Sequence, residues 1–109
     1  PMLSTPALIK TGGYREDFDR EKLLQSLKIA CVKRPVSAED LDSLVNSIEA
    51  SLRQMGEIEV SSKVVGDMVM EGLRELDNIA YIRFAIVYLK LDNLSAIKQE
   101  LENLISDQI

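Results

Sequence analysis

Residues 8–23, LIKTGGYREDFDREKL, decide the expected fold, because they lead from a short apolar segment through a turn into a strongly helical one. Gly12 and Gly13 separate the segments ALIK and YREDF. Glycine adopts the positive φ angles of a tight turn at little cost, so the two segments should pair as a small β-hairpin. Asp19 has the side chain of an N-cap residue, which predicts a helix that begins at Arg20.

Two helices should follow the hairpin. The first is expected to end at about Val32, ahead of Pro35. Residues 37–40 have a capping-box arrangement, with Asp in place of the preferred Glu, and open a second helix that stops at Gly56. Residues 57–60, EIEV, fit either a short strand or an extended linker. The residues expected to face inward are Leu23, Leu24, Leu27, Ile29, Ala30 and Cys31 in the first helix and Leu41, Leu44, Val45, Ile48 and Leu52 in the second.

Three more helices are predicted from apolar spacing in the second half of the chain. One is capped by Ser61 or Ser62 and runs to about Leu76. Residues 77–91, DNIAYIRFAIVYLKL, should form the central buried helix, and the last segment reads as an amphipathic helix. The expected inward residues are Val64, Val65, Met68, Val69 and Leu73, then Ile79, Ile82, Ala85, Ile86 and Leu89, then the stripe Leu94, Ile97, Leu101 and Leu104. The predicted fold class is mainly α (α+β), a compact helical bundle capped by the N-terminal hairpin.

Composition excludes several classes of function. The chain has 109 residues, the size of one domain, and lacks both an apolar run of about 20 residues and an N-terminal signal-peptide core. We therefore expect a soluble, cytoplasmic protein with no membrane partner. A single cysteine, Cys31, and no histidine exclude an intrachain disulfide, a cysteine-rich zinc site and histidine-based catalysis.

Charge is unevenly distributed along the chain. Residues 1–34 carry seven basic and four acidic side chains, whereas residues 35–109 carry six basic and fourteen acidic ones, for a net charge of −5 overall. An acidic domain does not fit general nucleic-acid binding, and a local basic patch suits one compact anion better. Lys10 and Lys22 could reach a polyphosphate, and Glu16 could accept hydrogen bonds from ribose or adenine. Alternatively, the glycines form only a turn and the charges are solvated, since no Walker or GxGxxG motif is present.

The opening segment is similar to the signature of the ATP-cone family, approximately V-[VI]-K-R-[DN]-G-x-x-E-x-F-[DN]-x-x-K-[LI]. The matching positions are Leu8, Ile9, Lys10, Gly13, Glu16, Phe18, Asp19, Lys22 and Leu23. The downstream motifs KRPVS, GEIEVSS and VMEGLRELDNIAYIRFAIVY resemble the cone of the NrdR family, bacterial repressors of ribonucleotide reductase genes. The resemblance covers about residues 8–88. It divides the chain into an ATP-cone domain over residues 1–92 and a C-terminal amphipathic helix over residues 93–109 that extends the same domain.

The resemblance implies a non-catalytic regulatory module that binds ATP or dATP as an allosteric ligand, with or without Mg²⁺ and without a structural metal. Its oligomeric state or its contacts would change in response, with a second copy or a ribonucleotide reductase subunit as partner. By the family pattern, Leu8 and Ile9 line the nucleotide pocket, Lys10 meets phosphate, Glu16 selects ribose or base, and Lys22 reaches the phosphates. Thr11 follows Lys10 and is expected to lie in the same site. Tyr81 corresponds to a family tyrosine near the base, or is simply a core aromatic.

Three departures from the family pattern bear on function. Thr11 and Gly12 replace the usual Arg and Asp or Asn, so one guanidinium is missing near the phosphates unless Arg15 substitutes for it. The chain has no CxxC motif, and the four-cysteine zinc ribbon through which the repressors bind DNA is therefore not in it; this chain alone should not bind DNA that way. After Tyr88 the sequence resembles the HLRK continuation of reductase-linked cones, which places Lys90 near the nucleotide.

Two alternatives remain at this point. The chain is either a nucleotide-responsive regulator or a degenerate cone that has lost nucleotide binding, with Thr11 as the sign, and acts as a helical protein–protein interaction module. In either case the stripe at Leu94, Ile97, Leu101 and Leu104 is a candidate contact face, or else packs within the molecule. The chain begins at Pro1, so Met2 is the native start of a freestanding cone or the chain is a domain of a longer protein. No motif assembles a nucleophile, base or metal site of an enzyme.

Overall fold

Each segment that was expected to be helical forms a helix within residues 4–108, the part of the chain that this computed structural model describes. The helices are α1 (Arg20–Ala30), α2 (Ala38–Gln54), α3 (Ser62–Leu76), α4 (Asn78–Tyr88) and α5 (Leu94–Ser106), and the strands are β1 (Ala7–Ile9), β2 (Arg15–Glu16) and β3 (Glu59–Ser61). The mainly α fold class is confirmed. The interpretation of Pro1 and Met2 as a chain start concerns residues outside this range.

The predicted hairpin forms, and a third strand extends it into a sheet of order β2–β1–β3. Leu8 lies opposite Glu16 in the antiparallel β1–β2 pair, and the turn contains Gly12 and Gly13 at φ angles of 101° and 85°. EIEV, which fitted either strand or linker, contributes β3, which runs parallel to β1 and places Leu8 beside Val60. The central strand is therefore β1, and its end lies between β2 on one side and the start of α3 on the other.

Side-chain caps fix the helix starts as expected. The Asp19 carboxylate accepts a 3.1 Å hydrogen bond from the Lys22 amide, and the Ser37 hydroxyl accepts one of 3.0 Å from the Asp40 amide. At its other end, α1 stops at Ala30, two residues before the predicted Val32. The Arg83 guanidinium accounts for this difference, because it donates to the carbonyl oxygens of both residues, at 3.1 Å and 2.7 Å, and so satisfies the end of the helix from α4.

The inward face predicted for the fourth helix is partly wrong. Ile79 and Leu89 are 45% and 43% exposed, whereas Ala80, Tyr81 and Ala85 are buried. Because α4 is apolar on nearly all sides, its sequence contains no periodic signal that selects one face. Contacts select it instead, since α4 packs against α1, α3 and α5 and the two alanines allow close approach.

Two helical glycines mark close approaches within the bundle. A Cβ atom added at Gly66 would lie 2.1 Å from the Tyr88 ring, and one added at Gly72 would lie 2.3 Å from the Leu44 side chain. Both distances are far below van der Waals contact, so α3 packs against α4 and α2 only because these positions lack side chains. The first of these contacts fixes the Tyr88 ring at the end of α4, beside the sheet.

The C-terminal helix packs with only part of its apolar stripe inward. Leu104 is 6% exposed, whereas Leu94 is 84% exposed and Leu101 is 38% exposed. Glu100 anchors the helix by accepting a 2.6 Å hydrogen bond from the Tyr81 hydroxyl of α4, and Arg74 of α3 pairs with Asp107. One edge of the predicted stripe therefore packs against the bundle, and the other edge is exposed to solvent. Within residues 4–108, no helix combines the length and apolar character needed to cross a bilayer.

Candidate functional site

The end of β1 brings three of the predicted site residues together. Glu16 on β2 lies across the hairpin from Leu8, and Lys22 lies in the first turn of α1, where the Asp19 cap orients the helix start. The Glu16 carboxylate accepts a 2.7 Å hydrogen bond from Lys22 Nζ through Oε1, and its Oε2 lies 3.7 Å from Lys10 Nζ. One carboxylate thus pairs with two lysines from different elements.

These pairings shift the pKa values of Glu16 and Lys22 so that each side chain favours its charged form. The hydrogen bond from Lys22, assisted by the charge of Lys10, holds the pKa of Glu16 below its usual value. The same hydrogen bond to Glu16 raises the pKa of Lys22. Glu16 and Lys22 are therefore both charged at neutral pH. Because two ammonium groups converge on one carboxylate, a more highly charged anion that binds here could form ion pairs with both of them.

Beside this cluster lies a small cleft, of about 130 Å³, which we call the first cleft. Its lining is mixed, with four apolar and six polar side chains, and it includes the Glu16 carboxylate and the Lys22 ammonium. The apolar wall residues are Leu8, Phe18, Leu23 and Val65, and the polar residues at the cleft are Lys10, Glu16, Asp17, Asp19, Lys22 and Ser26. A small cleft that combines apolar side chains with a hydrogen-bond acceptor and a donor suits a flat heterocyclic group.

On the other side of β1 lies a larger cleft, of about 420 Å³, which we call the second cleft. Lys10 lines both clefts, and the second one also contains Ile9, Thr11, Ser61, Ser62, Lys63, Asp67, Tyr88 and Leu89. It therefore combines two lysines with three hydroxyl-bearing side chains and the Tyr88 hydroxyl. These groups are donors that an extended anion could contact, although Asp67 lies among them and already pairs with Lys63.

Lys63 and Tyr88 both contact Asp67 within the second cleft. Lys63 Nζ pairs with Asp67 at 2.8 Å, and this hydrogen bond raises the pKa of the lysine and lowers that of the aspartate. The Tyr88 hydroxyl lies 3.2 Å from Asp67 Oδ1 and 3.1 Å from the Lys63 carbonyl oxygen. Burial raises the pKa of Tyr88, with the Asp67 charge adding to the effect, so its hydroxyl remains a neutral hydrogen-bond donor.

Three other residues singled out from the sequence lie apart from the two clefts. Tyr81 is 7% exposed and donates to Glu100 between α4 and α5, so the structure places it in the core. Lys90 follows α4 at a φ angle of 54°, exposed and next to Leu89, which lines the second cleft. Arg15, the possible substitute for the missing guanidinium, pairs with Glu59 at 2.9 Å on the hairpin edge.

Sequence reasoning missed Lys63 as a site residue. Its position depends on β3, which ends at Ser61 beside β1 and delivers the start of α3 to the second cleft. The available signal was the Ser61 cap, whose hydroxyl accepts a 3.2 Å hydrogen bond from the Lys63 amide. A lysine in the first turn of a capped helix is notable only once the parallel pairing of β1 and β3 is known.

Comparison with known proteins agrees with the geometry. A family model for the ATP cone domain matches residues 7–94, which include β1 and the lysines of both clefts. The chain is 58% identical over 87 residues to a transcriptional repressor NrdR of Novosphingobium aromaticivorans, an alignment that covers 80% of this chain and 55% of the relative.

Two further relatives carry the same name. A transcriptional repressor NrdR of Dehalococcoides mccartyi is 46% identical over 101 residues, covering 93% of this chain and 58% of the relative. A transcriptional repressor NrdR of Lacticaseibacillus casei is 47% identical over 105 residues, covering 95% of this chain and 68% of the relative. The chain thus spans little more than half the length of the first two relatives.

Proposed function

This chain belongs to the ATP-cone family, and on that premise we propose that it is a regulatory module that binds ATP or dATP at the end of β1. The observation that carries the proposal is the convergence of Lys10 and Lys22 on Glu16 beside two clefts that share Lys10. The nucleotide acts as a ligand and not as a substrate. Residues 1–92 form the cone, and residues 93–109 extend it.

The residues present fit an adenine nucleotide. The first cleft offers four apolar side chains for contact with the base, and Glu16 in its lining can accept hydrogen bonds from ribose hydroxyls or from the adenine amino group. Lys10 stands where the two clefts meet, so phosphates that leave the first cleft pass its ammonium group. Leu8 lies on the base side, and Ile9 and Thr11 lie on the phosphate side.

Thr11 marks the weak point of the phosphate site, and Lys63 compensates for it in this proposal. The threonine removes the guanidinium that the family pattern would provide, but the second cleft contains the ammonium group of Lys63 close to the start of α3. A helix start also presents unpaired amide groups and the positive end of the helix dipole. Lys22 then contacts either the phosphates or the edge of the base, depending on how deeply the nucleotide enters the first cleft. Lys90 remains a candidate contact at the rim of the second cleft.

The regulated process is proposed from the relatives. Those described above are named transcriptional repressors, and the NrdR resemblance implies that the genes encode ribonucleotide reductase. In this proposal the domain senses the nucleotide in the cytoplasm and controls assembly with further copies or contacts with a reductase subunit. It does not itself contact DNA, in keeping with the net charge of −5.

A second candidate is an interaction module without nucleotide binding. It is favoured by Thr11 and by the exposed edge of α5. Because both candidates share the fold, only ligand binding separates them.

The test is isothermal titration calorimetry of the chain with ATP and dATP, with GTP as a control ligand. We expect saturable heat with the adenine nucleotides, and weaker binding by about tenfold in Lys10→Ala and Lys22→Ala. Lys98→Ala, which removes an exposed lysine of α5 far along the chain from the clefts, is the matched control and should bind as wild type. Absence of heat at millimolar ATP and dATP, or equal affinity in all three variants, would contradict nucleotide binding at this site and favour the interaction module.

A further inference from the structure

An apolar groove runs between α1 and α4 and shares one lining residue, Ser26, with the first cleft. Its volume is about 410 Å³, and it is lined by Ser26, Ile29, Ala30, Arg83, Phe84 and Val87. Ile29 and Val87 are 63% and 78% exposed, and the neighbouring Val32 is 52% exposed. Several large apolar side chains exposed side by side are characteristic of a docking surface, whereas single exposed ones need no explanation.

The charges around the groove restrict what can occupy it. Residues 22–38, which include most of α1, carry four basic side chains, of which Lys22 and Arg34 are paired with carboxylates of other segments. Residues 78–91 carry two basic side chains and no acidic one. Lys28, Lys33 and Arg83 lie close to the apolar lining along the sequence. Two copies of the groove placed face to face would therefore repel each other. The fitting occupant is an amphipathic segment whose flanks are acidic.

The exposed edge of α5 has these properties. Leu94, Leu101 and Ile105 follow the spacing i, i+7, i+11 and so lie on one side of the helix, where they are 84%, 38% and 61% exposed. We call these three residues the outer stripe. Residues 92–107 carry four acidic side chains against the single basic Lys98. Glu100 and Asp107 already contact Tyr81 and Arg74 within the same copy, which leaves Asp92 and Glu102 close to the stripe along the sequence. The negative end of the helix dipole adds to this charge at the C-terminus.

We infer that the α1/α4 groove of one copy receives the outer stripe of α5 from a second copy. Within one protein, α4 contributes Phe84 and Val87 to the groove and Tyr81 to the contact with α5, so the groove and the outer stripe are separate surfaces. The contact between copies is then heterologous. Each copy presents one groove and one stripe, so assembly either closes, with a reciprocal dimer as the smallest ring, or continues as an open chain.

The groove is directly linked to the proposed nucleotide site. Ser26 lines both the first cleft and the groove, and its hydroxyl donates a 3.2 Å hydrogen bond to the Lys22 carbonyl oxygen. One turn of α1 therefore joins the lysine at the nucleotide to the docking surface. Control of assembly by nucleotide rests on the proposed function, whereas the docking itself does not.

The test is sedimentation velocity of the whole chain over a range of concentrations, with and without ATP or dATP. Ile29→Glu places an acidic group in the groove, and Leu94→Glu places one on the outer stripe. Ile58→Glu, at a residue that is 79% exposed and outside both surfaces, is the matched control. We expect wild type and the control to assemble with rising concentration and each of the other variants to weaken assembly by about tenfold or more. Salt should weaken assembly, since the flanking charges attract.

Mixing the two defective variants gives the decisive result. Ile29→Glu retains an intact stripe and Leu94→Glu retains an intact groove, so an equimolar mixture should form a dimer that grows no further. A mixture that stays monomeric while wild type assembles would overturn the inference, as would an Ile29→Glu variant that assembles normally, which would indicate pairing of α5 with α5. A wild type that is monomeric at all concentrations and with both nucleotides would also overturn it. Intact assembly with no nucleotide binding would contradict the proposed function alone.

Discussion

The Glu16 carboxylate accepts a 2.7 Å hydrogen bond from Lys22 Nζ, so the lysine proposed to meet a nucleotide already has an anionic partner within the protein. A phosphate group that binds here has to compete with this carboxylate for the ammonium group. The same carboxylate, once displaced, becomes free to accept hydrogen bonds from the ligand. Glu16 therefore weakens binding of the phosphates and strengthens binding of the ribose or base. A ligand that contains only the phosphates separates the two effects.

Replacing this carboxylate should change affinity for the two parts of a nucleotide in opposite directions. In Glu16→Ala, tripolyphosphate should bind about two- to fivefold more tightly, because Lys10 and Lys22 lose their exposed ion pairs. ATP should bind more weakly relative to tripolyphosphate, because ribose or base loses its acceptor. Calorimetry with both ligands measures the difference, and Glu59→Ala, which breaks the Arg15 ion pair on the hairpin edge, is the control. Equal tightening for both ligands would show that Glu16 is only a counter-ion.

The Tyr81 hydroxyl should serve helix packing and not the ligand. It is buried and donates to Glu100, and burial together with that hydrogen bond raises the pKa of Tyr81 to about 12. Because this pKa lies above that of the unfolded chain, the contribution to stability is present below about pH 10 and is lost as pH rises toward 12. Tyr81→Phe should therefore lower thermal stability at pH 7 and leave the affinity for ATP unchanged. A clear loss of affinity in a variant that remains folded would return Tyr81 to the nucleotide site.

Gly66 should tolerate no side chain. In Gly66→Ala the new Cβ would lie 2.1 Å from the Tyr88 ring, so α3 and α4 have to move apart or the ring has to turn. We expect a loss of about 1–3 kcal/mol in the free energy of unfolding, as for other overpacked sites. Weaker binding of tripolyphosphate should accompany it, because Tyr88 lines the second cleft. Urea denaturation and calorimetry measure the two effects. Glu71→Ala, at an exposed position of the same helix, should change neither, and unaltered stability of Gly66→Ala would disprove the close contact.

The parts of this fold that were predictable from sequence are those set by local chemistry. The glycine turn and the caps at Asp19 and Ser37 each act within a few residues, and all formed as expected. The parallel pairing of β3 with β1 was not predictable, because a three-residue strand has too few positions to show a period. Lys63 was missed for the same reason, since that pairing alone brings it near Lys10.

The inward face of α4 shows a different limit of sequence reasoning. Ile79 and Leu89 have helical spacing but are partly exposed, and the small Ala80 and Ala85 occupy the contact instead. In a helix that is apolar all round, the face is set by how closely neighbouring helices can approach, and this depends on residues that are distant in sequence.

Asp77 links the loop between α1 and α2 to the start of α4 and should make stability depend on acid pH. Its carboxylate accepts hydrogen bonds from Arg34 Nε at 2.8 Å and Nη2 at 3.0 Å, and it caps α4 by accepting one of 2.9 Å from the Ala80 amide. The Arg34 guanidinium is the main cause that holds the pKa of Asp77 below its usual value, with the capping amide as a further cause. Because the folded pKa is depressed, this contribution is complete above about pH 4 and is lost as pH falls through the folded pKa.

Two replacements separate the cap from the charge. Asp77→Asn retains a capping oxygen but no charge, so it should lose only the part of the stability that wild type loses in acid. Asp77→Ala should lose the cap as well, which costs about 1 kcal/mol more at all pH values. Urea denaturation at pH 7 and at about pH 3 measures both, and Asp42→Asn, at an exposed position of α2, is the control. The expected result is a gap between wild type and Asp77→Asn that narrows on acidification, because protonation then removes the charge from wild type too. A gap of constant size would show that shape, and not charge, makes Asp77 important.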